Sequence, residues 1–212
     1  MEWVCFNAGY LAEPPVCSGL QVVYSVGCHP WHALIYDYHP SSRMEAQLRL
    51  PGVWALGEIG LDKARGPSID IQTKVFEHQF FLAQAQAIPI VVHCVRAFAE
   101  LIPYLKKSKV PLAFHGFRGN VQKAKAVTEV GGFVSFGEAL CFDSGLHQVL
   151  AAIDPACILL ETDDSELGIE VVYQKAAQIL KMDLPELKDL IKNNALRFFG
   201  KRPELQVWES KF

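Results

Sequence analysis

Short β-branched or aromatic runs alternate along this chain with longer amphipathic stretches. Seven such runs, at residues 4–7, 22–27, 53–57, 89–93, 112–115, 132–136 and 158–162, predict strands. Their apolar character is continuous, which suits strands covered on both faces, as in a parallel sheet. Between them, Ile69, Ile71, Val75, Phe76, Phe80, Leu82 and Ala83 form a broad stripe that predicts a helix over 69–87, opened by Pro67-Ser68. Residues 97–106 and 121–130 predict two more, the second stopped by Gly131-Gly132. Asp143-Ser144 opens a predicted helix that contains His147. In the last helix Asp183 and Glu186 stand at capping-box spacing before Leu187, Leu190, Ile191, Ala195, Phe198 and Phe199, and Gly200 stops it. Strand–helix repetition without a shift in composition predicts a single α/β domain over 1–200 with parallel strands, and a tail at 201–212.

Composition narrows the picture. A chain of 212 residues, 50% hydrophobic, can bury one sizeable core, yet it is shorter than the roughly 250 residues of a full eight-fold α/β barrel. Net charge is −3 with no block of five or six like charges. That argues against a general electrostatic grip on nucleic acid and leaves room for a local phosphate pocket. The six cysteines show no C-x-x-C spacing and sit mostly in apolar runs, which predicts buried thiols in a reducing cytosol. No basic segment precedes an apolar leader, and no apolar run reaches membrane-spanning length, so the expectation is a cytoplasmic protein with no membrane partner.

Four strand ends carry the candidate chemistry. Glu58 follows Val53-Trp-Ala-Leu-Gly, His93 ends Pro-Ile-Val-Val-His, His115 ends Pro-Leu-Ala-Phe-His, and Asp163 ends Ile-Leu-Leu-Glu-Thr-Asp. A lone histidine or carboxylate at such a position is usually a hydrogen-bonded structural group. Two of each at four separate strand ends would share one rim if the sheet closes, and imidazole with carboxylate is a donor set for divalent ions.

The ordered motifs Val26-Gly-Cys-His-Pro30, Ala55-Leu-Gly-Glu-Ile-Gly-Leu-Asp62, Val91-Val-His-Cys-Val-Arg96, His115-Gly-Phe-Arg-Gly119, Leu160-Glu-Thr-Asp163 and Asn193-Asn-Ala-Leu-Arg-Phe-Phe-Gly200 resemble the TatD family of metal-dependent deoxyribonucleases. The resemblance implies a TIM-barrel fold and a two-metal phosphodiesterase site. It implies that Glu58 bridges both ions, that His93 and His115 hold one, and that Asp163 ligates the other. One or two divalent ions (Mg, Mn or Zn) are the expected cofactors, with DNA or a small phosphodiester as substrate. The chain departs from the family in containing no His-x-His pair, which in the family supplies two ligands to the ion that Asp163 also binds. The expectation is therefore a first strand missing or altered, through truncation, a late start or loss of one ion. Asp164-Ser165 also follow where the family has Ser-Pro.

Around these residues, His29 and Arg96 are expected to contact substrate, Arg96 through its planar fork. With the His-x-His pair absent, Asp163 is a candidate general base towards water, Glu58 the other catalytic carboxylate, and activity is expected to be low. Asp62 either orients a ligand or caps a loop. Phe117 and Arg118 fit substrate contact and ordinary packing equally well. Trp31, His32, His39, His78 and His147 are read as structural or surface groups. The competing functions are a barrel hydrolase of another ester or amide, and a degenerate barrel that binds metal or phosphate with little turnover. An incomplete barrel would expose strand surface, so a second copy of the chain is an expected partner.

Overall fold

A computed structural model describes residues 3–7, 21–38 and 43–200. All seven predicted strands are present, every one after the first is followed by helical structure, and the strands paired within each unit run parallel. The chain forms two compact units that meet in sequence after Leu112. The sequence-predicted tail at 201–212, together with His39, lies outside the described residues.

The first unit contains β1 (Trp3–Asn7), β2 (Gln21–Val26), α1 (Arg43–Leu48), β3 (Val53–Asp62), α2 (Ile69–Gln86), β4 (Ile90–Val95) and α3 (Phe98–Leu105). Its strands lie side by side in chain order. Two boundaries differ from expectation by more than one residue: β3 continues five residues past Gly57, and β4 runs beyond His93 to Val95. Gly57 and Gly60 allow close approach of two backbones. A Cβ on Gly57 would lie 2.5 Å from the Val91 Cβ, and one on Gly60 only 1.8 Å from the His93 carbonyl oxygen. The register shifts between Leu56 and Ile59, then resumes with Gly60 opposite His93 and Asp62 opposite Val95. Such irregularities re-aim side chains, and this one falls at Glu58.

Helix α2 presents Gln72, Val75, Phe76, Gln79, Phe80 and Ala83 to the interior, the recurrence expected of one helical face. It ends at Ala87 in the left-handed conformation. Tyr24, Val26, Cys28, Met44, Val53 and Val75 form a buried cluster against which Ile71 and Leu82 pack.

The second unit contains β5 (Leu112–Phe114, beginning at the boundary residue), α4 (Val121–Thr128), β6 (Phe133–Phe136), α5 (Ala139–Phe142), α6 (Ser144–Ala152), β7 (Ile158–Leu160), α7 (Ile169–Leu180) and α8 (Leu184–Phe199). Here β5, β6 and β7 pair in order. Asn120 caps α4 through its side chain, and the Gly131 and Gly132 amides bond back to the carbonyls of Thr128 and Val127. Asp183 accepts from the Glu186 amide, so the predicted cap of α8 forms. Helix α7 carried no sequence expectation. Its buried positions are only Val172, Ala176 and Ala177, and the β-branched residues at its start suit a strand as well as a helix. No helix among the described residues is long and apolar enough to cross a membrane.

Candidate metal centre

In the first unit His29, just past β2, meets Glu58 of β3 and His93 of β4. Glu58 Oε2 lies 3.9 Å from His29 Nε2 and 3.8 Å from His93 Nδ1. The two imidazoles meet edge to face, with centroids 4.3 Å apart. Glu58 and His29 are half-buried, and His93 is buried.

A pair at 3.8 Å is too long for a hydrogen bond. Two donors at bonds of about 2.1 Å to one tetrahedral ion would stand roughly 3.4 Å apart, so the Glu58–His93 spacing suits a shared cation with little adjustment. His29 has a different ring chemistry. Its Nδ1 accepts the Trp31 backbone N–H at 3.3 Å, so the ring proton resides on Nε2, the nitrogen that faces Glu58. A protonated nitrogen donates a hydrogen bond and offers no lone pair to a metal. Of the three groups, Glu58 and His93 are the metal-type donors and His29 is a hydrogen-bond donor.

Behind His93 stands Asp62, at 2% exposure. Its Oδ2 accepts from Trp31 Nε1 at 2.6 Å and lies 3.3 Å from His93 Nε2, while Oδ1 takes the backbone amides of Ala64 and Arg65. Burial raises the Asp62 carboxyl, but the hydrogen bonds from Trp31, Ala64, His93 and Arg65 together outweigh it and hold it below its ordinary value. Asp62 thus caps the 63–65 loop and lies beside the candidate ligand His93.

Two buried amides of α2 fix these strand ends. Gln72 accepts from the Asp62 amide and donates to the carbonyls of Asp62, Arg65 and Pro67. Gln79 accepts from the Cys28 amide and donates to the Cys28 carbonyl. Sequence reasoning missed both. Their signal was a polar residue recurring at i and i+7 inside an otherwise apolar stripe. Glu58 and Asp62 also share parity along an extended strand, which became visible only once β3 was known to continue.

Arg96 lies just past β4, exposed, with positive φ. Trp31, read from sequence as structural, is 40% exposed and has Arg65 over its ring at 5.0 Å. His78 and His147 fit their structural readings, the first beside the Tyr36 hydroxyl and the second against the Leu140 carbonyl.

In the second unit His115 follows β5, and its Nδ1 stands 3.8 Å from Glu161 Oε1. Glu161 accepts from the Ser135 hydroxyl at 2.5 Å and from the Gly116 amide. This acid was not singled out in the sequence, because only the register of β6 with β7 brings it beside Ser135. Asp163 occupies an exposed turn after β7 with φ of 54°. Phe117 is buried and Arg118 exposed, and a Cβ on Gly119 would strike the Phe117 ring, so this loop is shaped around Phe117 packing. The Asn193–Gly200 motif is structural: Asn194 donates to the Pro155 and Ile158 carbonyls, and Arg197 to that of Ala156.

A family model described as TatD related DNase matches residues 16–200. The uncharacterized metal-dependent hydrolase MJ1582 of Methanocaldococcus jannaschii is 30% identical over 161 residues, covering 71% of this chain and 64% of its own length. The 3′-5′ ssDNA/RNA exonuclease TatD of Edwardsiella piscicida is 29% identical over 199 residues, covering 82% of this chain and 76% of its own. The chain thus spans less than two-thirds of the archaeal relative. Among solved structures, the TatD homologue YjjV from Escherichia coli superimposes with a TM-score of 0.73 at 23% identity, covering 85% of this chain and 78% of that one. The fold is accordingly that of the α/β TIM-barrel type seen in these proteins. With the family model covering most of its length and its motifs seated at the strand ends described above, the chain belongs to the TatD family.

Proposed function

We propose that this protein is a metal-dependent hydrolase that cleaves phosphodiester bonds of single-stranded nucleic acid, DNA foremost. The observation that carries the reading is the Glu58–His93 pair, spaced for a shared cation and backed by a buried carboxylate. The names of the archaeal and Edwardsiella relatives point the same way. Glu58 and His93 of the first unit are the proposed ligands there. In the second unit, the family pattern makes His115 and Asp163 the proposed metal ligands.

A bound divalent ion, Mg, Mn or Zn, would supply Lewis acidity towards a phosphoryl oxygen and lower the pKa of water. The protein's own groups do the rest. His29 presents Nε2–H as a donor to a phosphate oxygen, and Arg96 offers a planar fork to the same anion. Asp163 accepts the proton of the attacking water, and Glu58 is the second catalytic carboxylate. Within the first unit the proposed complement centres on Glu58 and His93. Cys28 and Cys157 are buried in apolar surroundings, which supports the proposed reducing, cytoplasmic setting. Association of two copies is the proposed quaternary state.

Chelator-stripped protein should fail to shorten a labelled single-stranded oligonucleotide, and added Mn²⁺ should restore cleavage. Stoichiometric Mn²⁺ binding without cleavage of DNA or RNA would instead establish the non-hydrolytic reading.

A further inference from the structure

Asp62 has more hydrogen-bond donors than a loop cap needs. The amides of Ala64 and Arg65 satisfy Oδ1, and that alone would close the 63–65 turn. The second oxygen points the other way. It takes the Trp31 indole N–H at 2.6 Å and lies 3.3 Å from His93 Nε2, in a position 2% exposed. An ionised carboxylate accepts hydrogen bonds only, so the proton on the His93 ring must sit on Nε2 for the contact to be favourable. The other nitrogen, Nδ1, then carries a lone pair, and it is the one that faces Glu58 at 3.8 Å.

We infer that Asp62 is a positioning residue that fixes His93 as the Nε2–H tautomer and aims its Nδ1 lone pair at the cation beside Glu58, with Trp31 as the donor that holds Asp62 in place. This rests on the proposed metal reading. Ligating histidines generally require such a partner on the remote nitrogen, and losing it typically weakens metal affinity about 10- to 100-fold.

The substitution Asp62→Asn separates the loop role from the ring role. The two loop amides will hold the Asn oxygen at the Oδ1 position, which turns the NH₂ group towards Trp31 and His93. His93 then faces a donor and must accept at Nε2, moving its proton to Nδ1 and blocking the lone pair.

Two measurements test this. First, ¹⁵N–¹H imidazole correlations of the metal-free wild-type protein, with the His93 ring identified by its loss in His93→Gln, should report the Nε2–H tautomer. An Nδ1–H ring in the wild-type protein overturns the inference, and this reading requires no Asp62 variant to fold. Second, Mn²⁺ titration of Asp62→Asn should show affinity lower by about 10- to 100-fold at unchanged near-ultraviolet circular dichroism. Affinity within threefold of wild type in a folded Asp62→Asn protein overturns it as well. Failure of the wild-type protein itself to bind Mn²⁺ would overturn the proposed function. The ring spectrum, recorded without metal, then decides the hold of Asp62 on His93 by itself.

Discussion

Single residues in this protein are often placed by what cannot fit beside them. Gly60 accepts no side chain, because a Cβ there would lie 1.8 Å from the His93 carbonyl oxygen. The substitution Gly60→Ala must therefore push β4 away from β3 and move a candidate ligand. A loss of about 3 kcal/mol or more in urea unfolding is expected, in the range of severe backbone clashes. Tyr104 gives the pH prediction. Burial, then its hydrogen bond to Glu77 and that acid's charge, push its hydroxyl from 10.0 up to about 12. Raised pKa means that the folded state favours the neutral phenol. Its contribution is whole below pH 10 and is lost as pH climbs from 10 towards 12. Tyr104→Phe should flatten the fall in thermal stability across that window, and ultraviolet titration of the tyrosines should lose one step near pH 12. An unchanged titration curve would contradict the assignment.

At the scale of elements, the pattern of apolar runs located every strand and most helices among the described residues, and Asp183 caps α8 where the spacing placed it. What it could not read were contacts made by register. The extension of β3 to Asp62 was hidden because glycine marks both a break and a close approach, and only the pairing with β4 distinguishes them. Glu161 escaped notice for a similar reason, since Ser135 meets it only across β6 and β7. The two amides of α2 matter most at this scale. Replacing Gln79 with Met keeps the volume but strands a buried N–H and C=O of Cys28. The expected cost is on the order of 2–6 kcal/mol, given 1–3 kcal/mol for each unsatisfied group. Chemical denaturation checks it. On α8, Asp183→Ala removes one cap bond and should cost only about 1 kcal/mol. If the two substitutions cost the same, the clamping role of α2 is wrong.

For the whole molecule, fold class and family were legible because six short motifs occur in order, each at a strand end or on the final helix. The candidate site was legible in part. Glu58, His93 and His29 do converge, as their strand ends required, but the sequence could not say which imidazole nitrogen faces inward. That distinction separates His93, a ligand type, from His29, a donor, and it depends on Trp31 and Asp62 rather than on either histidine. The account as a whole stands on Glu58 being the carboxylate around which the cation is held. The direct measurement is cleavage of a 5′-labelled single-stranded DNA by chelator-stripped protein resupplied with Mn²⁺, wild type beside Glu58→Ala. Wild type should cut and Glu58→Ala should be slower by at least about 100-fold, as expected when a catalytic metal loses a carboxylate ligand. Equal cleavage by the two proteins, or none by either, would contradict it.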